Sequence, residues 1–246
     1  NNPDFTQYAL IGVQNVNSGV ASLLGDVIDS QAHVAVDSVA EVQSLANSVV
    51  AVMDQAKGNA GLTQTQLEDL VGIWNGGADV MPAVLQAIAN TADNGSAVDT
   101  LAELQSVVST AAASAVNALG ALQNFANQNS STKPTPIGSF SYQGTAPALP
   151  TYTDAGISGV TASNLDAIND TLATLAVSSS RLPTIASLQS LVNAYKAIST
   201  LADGFANTAT GVQPGADAYD LIGVTGLEPS NSTRTNMASL LSDVID

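Results

Sequence analysis

The chain contains no cysteine. That single absence excludes disulfides, thiolate metal sites and a cysteine nucleophile. Histidine is nearly absent too: His33 stands alone, so a metal site of the His/Cys type is excluded by count. Basic residues are scarce, with Lys57, Lys133, Arg181, Lys196 and Arg234 set against 21 acidic ones. The net charge is −16 over 246 residues. Such a surface can neutralise few phosphates, which all but excludes nucleic acid and anionic membrane as partners. Aromatic residues make up 4% of the chain, so its core must be built from Ala, Val, Leu and Ile. A long apolar run is lacking as well. The uncharged stretch between Glu103 and Lys133 carries Gln105, Ser106, Ser109, Thr110, Ser114, Asn117, Gln123 and Asn124. A membrane span needs about 20 predominantly apolar residues, so this stretch predicts a water-soluble helix and no membrane insertion. There is no initiator Met and no leader segment at Asn1, and the chain is expected to be a processed product or an excised piece.

What the sequence does contain is enough apolar residues, 45%, to bury a core. Its polar residues are mostly Asp, Asn, Gln, Ser and Thr. Extracellular or salty surroundings favour such a surface, because salt screens the self-repulsion of the acidic groups.

Three kinds of segment recur in a fixed order. Segment A is a short apolar run ending in Gly: Tyr8-Ala-Leu-Ile-Gly12, Glu68-Asp-Leu-Val-Gly72, Tyr152-Thr-Asp-Ala-Gly156 and Tyr219-Asp-Leu-Ile-Gly223. In three of these a Tyr stands four residues before the Gly. Glycine there predicts a helix end whose chain turns through the left-handed region. Segment B is amphipathic, with Val20, Leu23, Leu24, Val27 and Ile28 in its first copy. The second copy has Val80, Val84, Leu85 and Ile88, the third Leu165, Ile168, Leu172 and Leu175, and the fourth Met237, Leu240, Leu241, Val244 and Ile245. Their three-and-four spacing is helical.

Segment C is longer and opens with a cap. Ser38-Val-Ala-Glu41 and Thr100-Leu-Ala-Glu103 fit the capping box, in which hydroxyl and carboxylate each satisfy a backbone N–H of the other residue. The third copy, after Pro183-Thr184, lacks the Glu and is expected to keep the hydroxyl cap alone. The predicted seams are Val39, Val42, Ala46, Val49, Met53 and Ala56 in copy one, and Leu101, Leu104, Val108, Ala111, Ala115, Ala118, Leu122 and Phe125 in copy two. Copy three supplies Ile185, Leu188, Val192, Tyr195, Ser199 and Ala202.

These patterns predict an all-α chain of tandem three-helix-bundle repeats in an elongated array. Repeat one covers 1–60, and repeat two covers 61–128 with a long third helix. Residues 129–150 form a Pro-rich linker, with Ile137, Phe140 and Tyr142 as a short extended segment. Repeat three covers 151–212. A partial repeat four covers 213–246 and stops where its segment C would begin, so a longer array, or completion by another chain, is expected.

Chemistry-bearing constellations are few. His33 lies in a loop whose counterparts near Asn94 and Ser178 carry no His, and it is read as an exposed loop residue. The pairs Asp26 with Asp29 and Glu68 with Asp69 sit on repeat helices and read as solvated faces rather than acid/base pairs. Asp93-Asn-Gly-Ser-Ala-Val-Asp99 has the oxygen ligands calcium takes but lacks the EF-hand pattern, and a turn followed by an N-cap is expected. Calcium is the one cofactor left open. Gly76-Gly77 matches no phosphate-binding motif. Trp74, the only Trp, is expected to pack between helices A and B. Sequons occur at Asn94, Asn129, Asn169 and Asn231, as chance allows in so Asn-rich a chain. The small residues Ala111, Ala112, Ala113, Ala115, Ala118 and Gly120 leave a groove, filled by the helix's own bundle or by another chain. No catalytic, cofactor or metal residue is assigned.

The strings Val98-Asp-Thr-Leu-Ala-Glu-Leu-Gln105 and Ala218-Tyr-Asp-Leu-Ile-Gly-Val224 resemble helical repeats of very large secreted bacterial surface proteins, the adhesins and biofilm-associated proteins. The resemblance covers nearly the whole chain apart from about 129–150. It implies a non-enzymatic, extracellular, structural role. Partners would be neighbouring repeats, copies of the same chain in a filament or surface layer, or a cell-surface protein or glycan.

Overall fold

The computed structural model describes residues 3–92, 95–129, 142–174, 177, 180–201 and 214–224. Among these residues the chain is all-helical, with ten α-helices and no strand. It divides into two compact units, Asn1–Val116 and Asn117–Asp246, and the division falls within the longest helix.

In the first unit α1 (Phe5–Leu10), α2 (Ser18–Ser30), α3 (Val39–Ala56), α4 (Gln64–Val71) and α5 (Gly77–Ala89) precede α6 (Leu101–Asn129). The central element is α3, which packs against α2, α4 and α5. Its seam is Val42, Ala46, Val49, Met53 and Ala56, with Leu45 and Val52 beside it, all buried. The expected first seam residue, Val39, is exposed instead, because it follows the cap directly and lies beyond the packed turns. In α6 the buried stripe is Leu104, Val108, Ala112, Ala115, Ala118, Leu122 and Phe125. Spacings of three and four along a helix keep that stripe on one face.

The second unit contains the rest of α6, then α7 (Leu149–Asp154), α8 (Leu165–Leu172), α9 (Ile185–Ser199) and α10 (Ala216–Leu221). The seam of α9 is Ile185, Leu188, Leu191, Val192, Ala194 and Ile198. Ser199, expected in that seam, is exposed, and Ile198 takes its place against Tyr219 of α10. Leu175, Ala202, the extended segment expected at Ile137 and Phe140, and segment B of repeat four lie outside the described residues.

Each C helix starts as its sequence requires. Ser38 accepts from the Glu41 N–H while Glu41 accepts from that of Ser38, and Thr100 with Glu103 does the same. The third copy corrects the expectation. Thr184 makes a full reciprocal box with Ser187, whose hydroxyl accepts from the Thr184 N–H at 3.1 Å. Serine thus replaces the missing Glu without a charge. Asp26 of α2 adds a bond from outside, accepting from the Leu101 N–H at the start of α6 at 3.1 Å.

Candidate functional site

Four segment A helices end on glycines with positive φ: Gly12 (+91°), Gly72 (+78°), Gly156 (+74°) and Gly223 (+87°). The ends are not equivalent. In three copies two bonds close a Schellman motif. Val13 N–H donates to Tyr8 C=O and Gly12 N–H to Ala9 C=O. Ile157 to Tyr152 and Gly156 to Thr153 repeat the pattern, and so do Val224 to Tyr219 and Gly223 to Asp220. The Tyr four residues before each Gly is buried. Val13 and Ile157, just after the motif, are each 3% exposed. The motif therefore turns the chain inward, and in the last copy Val224 packs against the Tyr219 cluster.

Where Glu68 stands in place of Tyr, the second bond is missing. Gly72 N–H donates to Glu68 C=O at 2.9 Å, and no bond from Ile73 follows. Gly72 has ψ of −176°, and Ile73 is 90% exposed. A carboxylate, here accepting from Gln64 at 2.6 Å, cannot supply the buried surface that a tyrosine ring provides.

The direction of this loop decides what happens on the C helix. Gln43, five residues after its cap Ser38, clamps the loop of repeat one. Gln14 N–H donates to Gln43 Oε1 at 2.7 Å, and Gln43 Nε2 donates to Gln14 C=O at 3.2 Å and to Asn47 Oδ1 at 3.0 Å. Repeat three has the same clamp. Ser158 N–H donates to Gln189 Oε1 at 2.8 Å, while Gln189 Nε2 donates to Ser158 C=O and Asn193 Oδ1, both at 3.0 Å. Even the backbone beyond agrees: Asn15 has φ of +63° where repeat three has Gly159 at +85°. An amide can do this because it carries both donors and an acceptor.

Repeat two has the corresponding residues, Gln105 and Ser109, five and nine positions after Thr100. No hydrogen bond joins Gln105 to the loop at 73–75, and Ser109 donates back to Ser106 C=O. In place of the clamp lies an open groove of about 460 Å³. Val71, Ile73, Trp74 and Asn75 form one wall, and the α6 face bearing Ala102, Gln105, Ser106, Ser109 and Ala113 forms the other. None of its lining residues is charged. Trp74 is half-buried against this groove rather than enclosed between helices A and B as expected, and its Nε1 is buried without a partner. Of the small residues of α6, Ala112, Ala115 and Ala118 are buried in the core, and Ala113 lies exposed along this opening. Gln at the fifth position after each segment C cap was the sequence signal for this site.

The other sequence candidates are placed as follows. His33 is exposed in a 3₁₀ turn, His33–Ala35. Asp29 is exposed and Asp26 is used as a cap for α6. Asp69 is exposed, and its C=O accepts from Gln31. Asp93 and Asn94 of the calcium candidate lie outside the described residues, and no group of three metal-type ligands occurs among those described. Asp99 is pushed above the ordinary carboxylate range by burial and by neighbouring Glu103 and Asp26. Two sequon asparagines are buried and committed. Asn169 accepts from Tyr152 Oη at 2.7 Å and donates to Pro147 C=O. Asn129 exchanges two bonds with the Gln143 backbone, beside an edge-to-face contact between Phe125 and Tyr142. Tyr142 in turn donates to Asp170. Burial holds both the Tyr142 and Tyr152 phenols well above their ordinary values. No helix among the described residues is long and apolar enough to cross a membrane. No protein-family model matches the chain, and neither a curated protein nor a solved structure matches it.

Proposed function

We propose that this chain is a non-enzymatic structural segment, built of tandem three-helix repeats in an elongated array. Its setting is an extracellular adhesin-like or surface-layer protein. The observation that carries this reading is recurrence. The Tyr–Gly cap and the glutamine clamp of repeat one return in repeat three, with the same backbone groups and the same Gln–Asn relay. A unit of about 60 residues is thin-cored, and repetition lets neighbours share apolar faces. The clamps are bonds between neutral groups, which salt does not screen as it screens ion pairs. A spacer working in saline surroundings at a net charge of −16 gains from that economy.

Light-scattering mass during sizing chromatography tests the proposal. The expected result is the 24.7 kDa of one chain, eluting earlier than a globule of that mass. Elution as a compact single chain overturns the spacer role. A multiple of that mass shifts the reading to a self-assembling filament or lattice subunit, completed between chains. Protease treatment of intact source cells tests the location, with loss of the chain expected.

A further inference from the structure

We propose that the groove of repeat two is a docking site for an uncharged, extended segment of another protein, held by Gln105 as Gln43 and Gln189 hold their own loops. This inference does not depend on the spacer reading. It rests on three observations.

The first is that the molecule itself shows what a glutamine at this position binds. In repeats one and three its amide takes both the N–H and the C=O of one loop residue, directly after a buried aliphatic side chain. Gln105 is exposed, sits at the same distance from its cap and makes neither bond. The second is Trp74, which is half-buried along the groove wall and offers ring surface on which an aliphatic side chain can pack. The third is the groove, which at about 460 Å³ accommodates a short peptide stretch with an aliphatic side chain between Trp74 and Val108.

The repeat's own loop is not the occupant. Gly72 ends α4 with one bond and sends Ile73 outward, so Trp74 cannot reach Gln105 without rebuilding that helix end. A second copy is disfavoured because two chains at −16 each repel one another. The same field rejects acidic segments, and a wall without charges offers nothing specific to basic ones. An uncharged segment remains, resembling Val13-Gln14 or Ile157-Ser158.

The test uses the full chain and a blocked peptide copying residues 11–17, Ile-Gly-Val-Gln-Asn-Val-Asn. Trp74 is the sole Trp, so its emission reports on this groove alone. The expected result is a saturable change in emission with a Kd on the order of 0.1–1 mM, as a few contacts to an exposed groove imply. Gln105→Leu should weaken binding at least tenfold, and Ala113→Phe, which fills the groove two turns of α6 away from Gln105, should do likewise. Gln43→Leu should leave the response unchanged. No saturable change up to about 5 mM peptide overturns the proposal, at a concentration several times the expected Kd. So does a response that survives both groove variants. Emission that depends on chain concentration without peptide, with a doubled mass by light scattering, reassigns the groove to a second copy and equally overturns it.

Discussion

Repeats one and two are built from the same three segments, yet one closes its A–B loop onto the C helix and the other holds it open. The difference begins at one residue. Tyr8 is fully buried, Val13 after it is buried and a two-bond cap forms, whereas Glu68 is only half-buried and Ile73 swings out. The clamp then follows or fails. Gln43 finds the backbone of Gln14, while Gln105, on an equally regular helix, finds nothing. A helix end thus sets the fate of a hydrogen bond made about 30 residues further along the chain. Hydrophobic burial at the cap outweighs the clamp's own net worth, which for two neutral bonds is about 1–3 kcal/mol.

Replacing the tyrosine itself should show the largest contrast. Tyr152→Ala is expected to cost about 3–5 kcal/mol, as for other large core residues. Glu68→Ala at the matching position should change stability by less than about 0.5 kcal/mol, as for substitutions outside a core. Urea unfolding followed by circular dichroism measures both. Equal effects would mean that the tyrosine is not what closes the loop.

A smaller contrast separates repeats one and three. Tyr152 Oη donates to buried Asn169, but Tyr8 Oη is buried with no partner. Gly25 stands where the third repeat has Asn169, counting from the segment A glycine in each. Tyr152→Phe should therefore cost about 1–2 kcal/mol, and Tyr8→Phe should be neutral or stabilising by up to about 1 kcal/mol. The same denaturation series decides it.

The clamps come next. Gln43→Leu and Gln189→Leu should each cost about 1 kcal/mol and speed amide exchange at Gln14 and Ser158, while Gln105→Leu should leave stability within about 0.5 kcal/mol. A destabilised Gln105→Leu variant would show that repeat two closes its loop in solution.

The faintest contrast is in pH. Hydrogen bonds from Ser38 hold the Glu41 carboxyl below its ordinary value of 4.5. A lowered native value stabilises the fold above that pH, and the contribution is lost as pH falls through the lowered value. The Thr184–Ser187 box carries no charge. Acidification from pH 6 to about 3 should then loosen the first turn of α3 but leave that of α9 unaffected, as read by amide exchange at Glu41 and Ser187. Asp99, held above its ordinary value by burial first and by Glu103 and Asp26 after it, runs oppositely: its charged form destabilises the start of α6 at neutral pH and is relieved as acid protonates it.

Local chemistry accounts for much of this in the sequence alone. The glycines at 12, 72, 156 and 223 take positive φ because no other residue enters that region as cheaply. The boxes at Ser38 and Thr100, and the core stripe of α6, follow from spacing of three and four between apolar residues. These features depend on residues a few positions apart, so a linear reading reaches them. The Ser187 box was within reach of the same logic, since a hydroxyl can accept as a carboxylate does. The clamps were not. Gln43 and Gln14 are 29 residues apart, and a glutamine on a helix reads as a solvated residue until a backbone arrives beside it. Nor could the chain's order of residues show that Gln105 is left open, because that depends on where Gly72 aims the loop relative to α6. Periodicity and caps determine which helices exist. Only packing in three dimensions decides which backbone meets which amide, because a hydrogen bond requires its partners within about 3 Å and the sequence specifies no distances between helices.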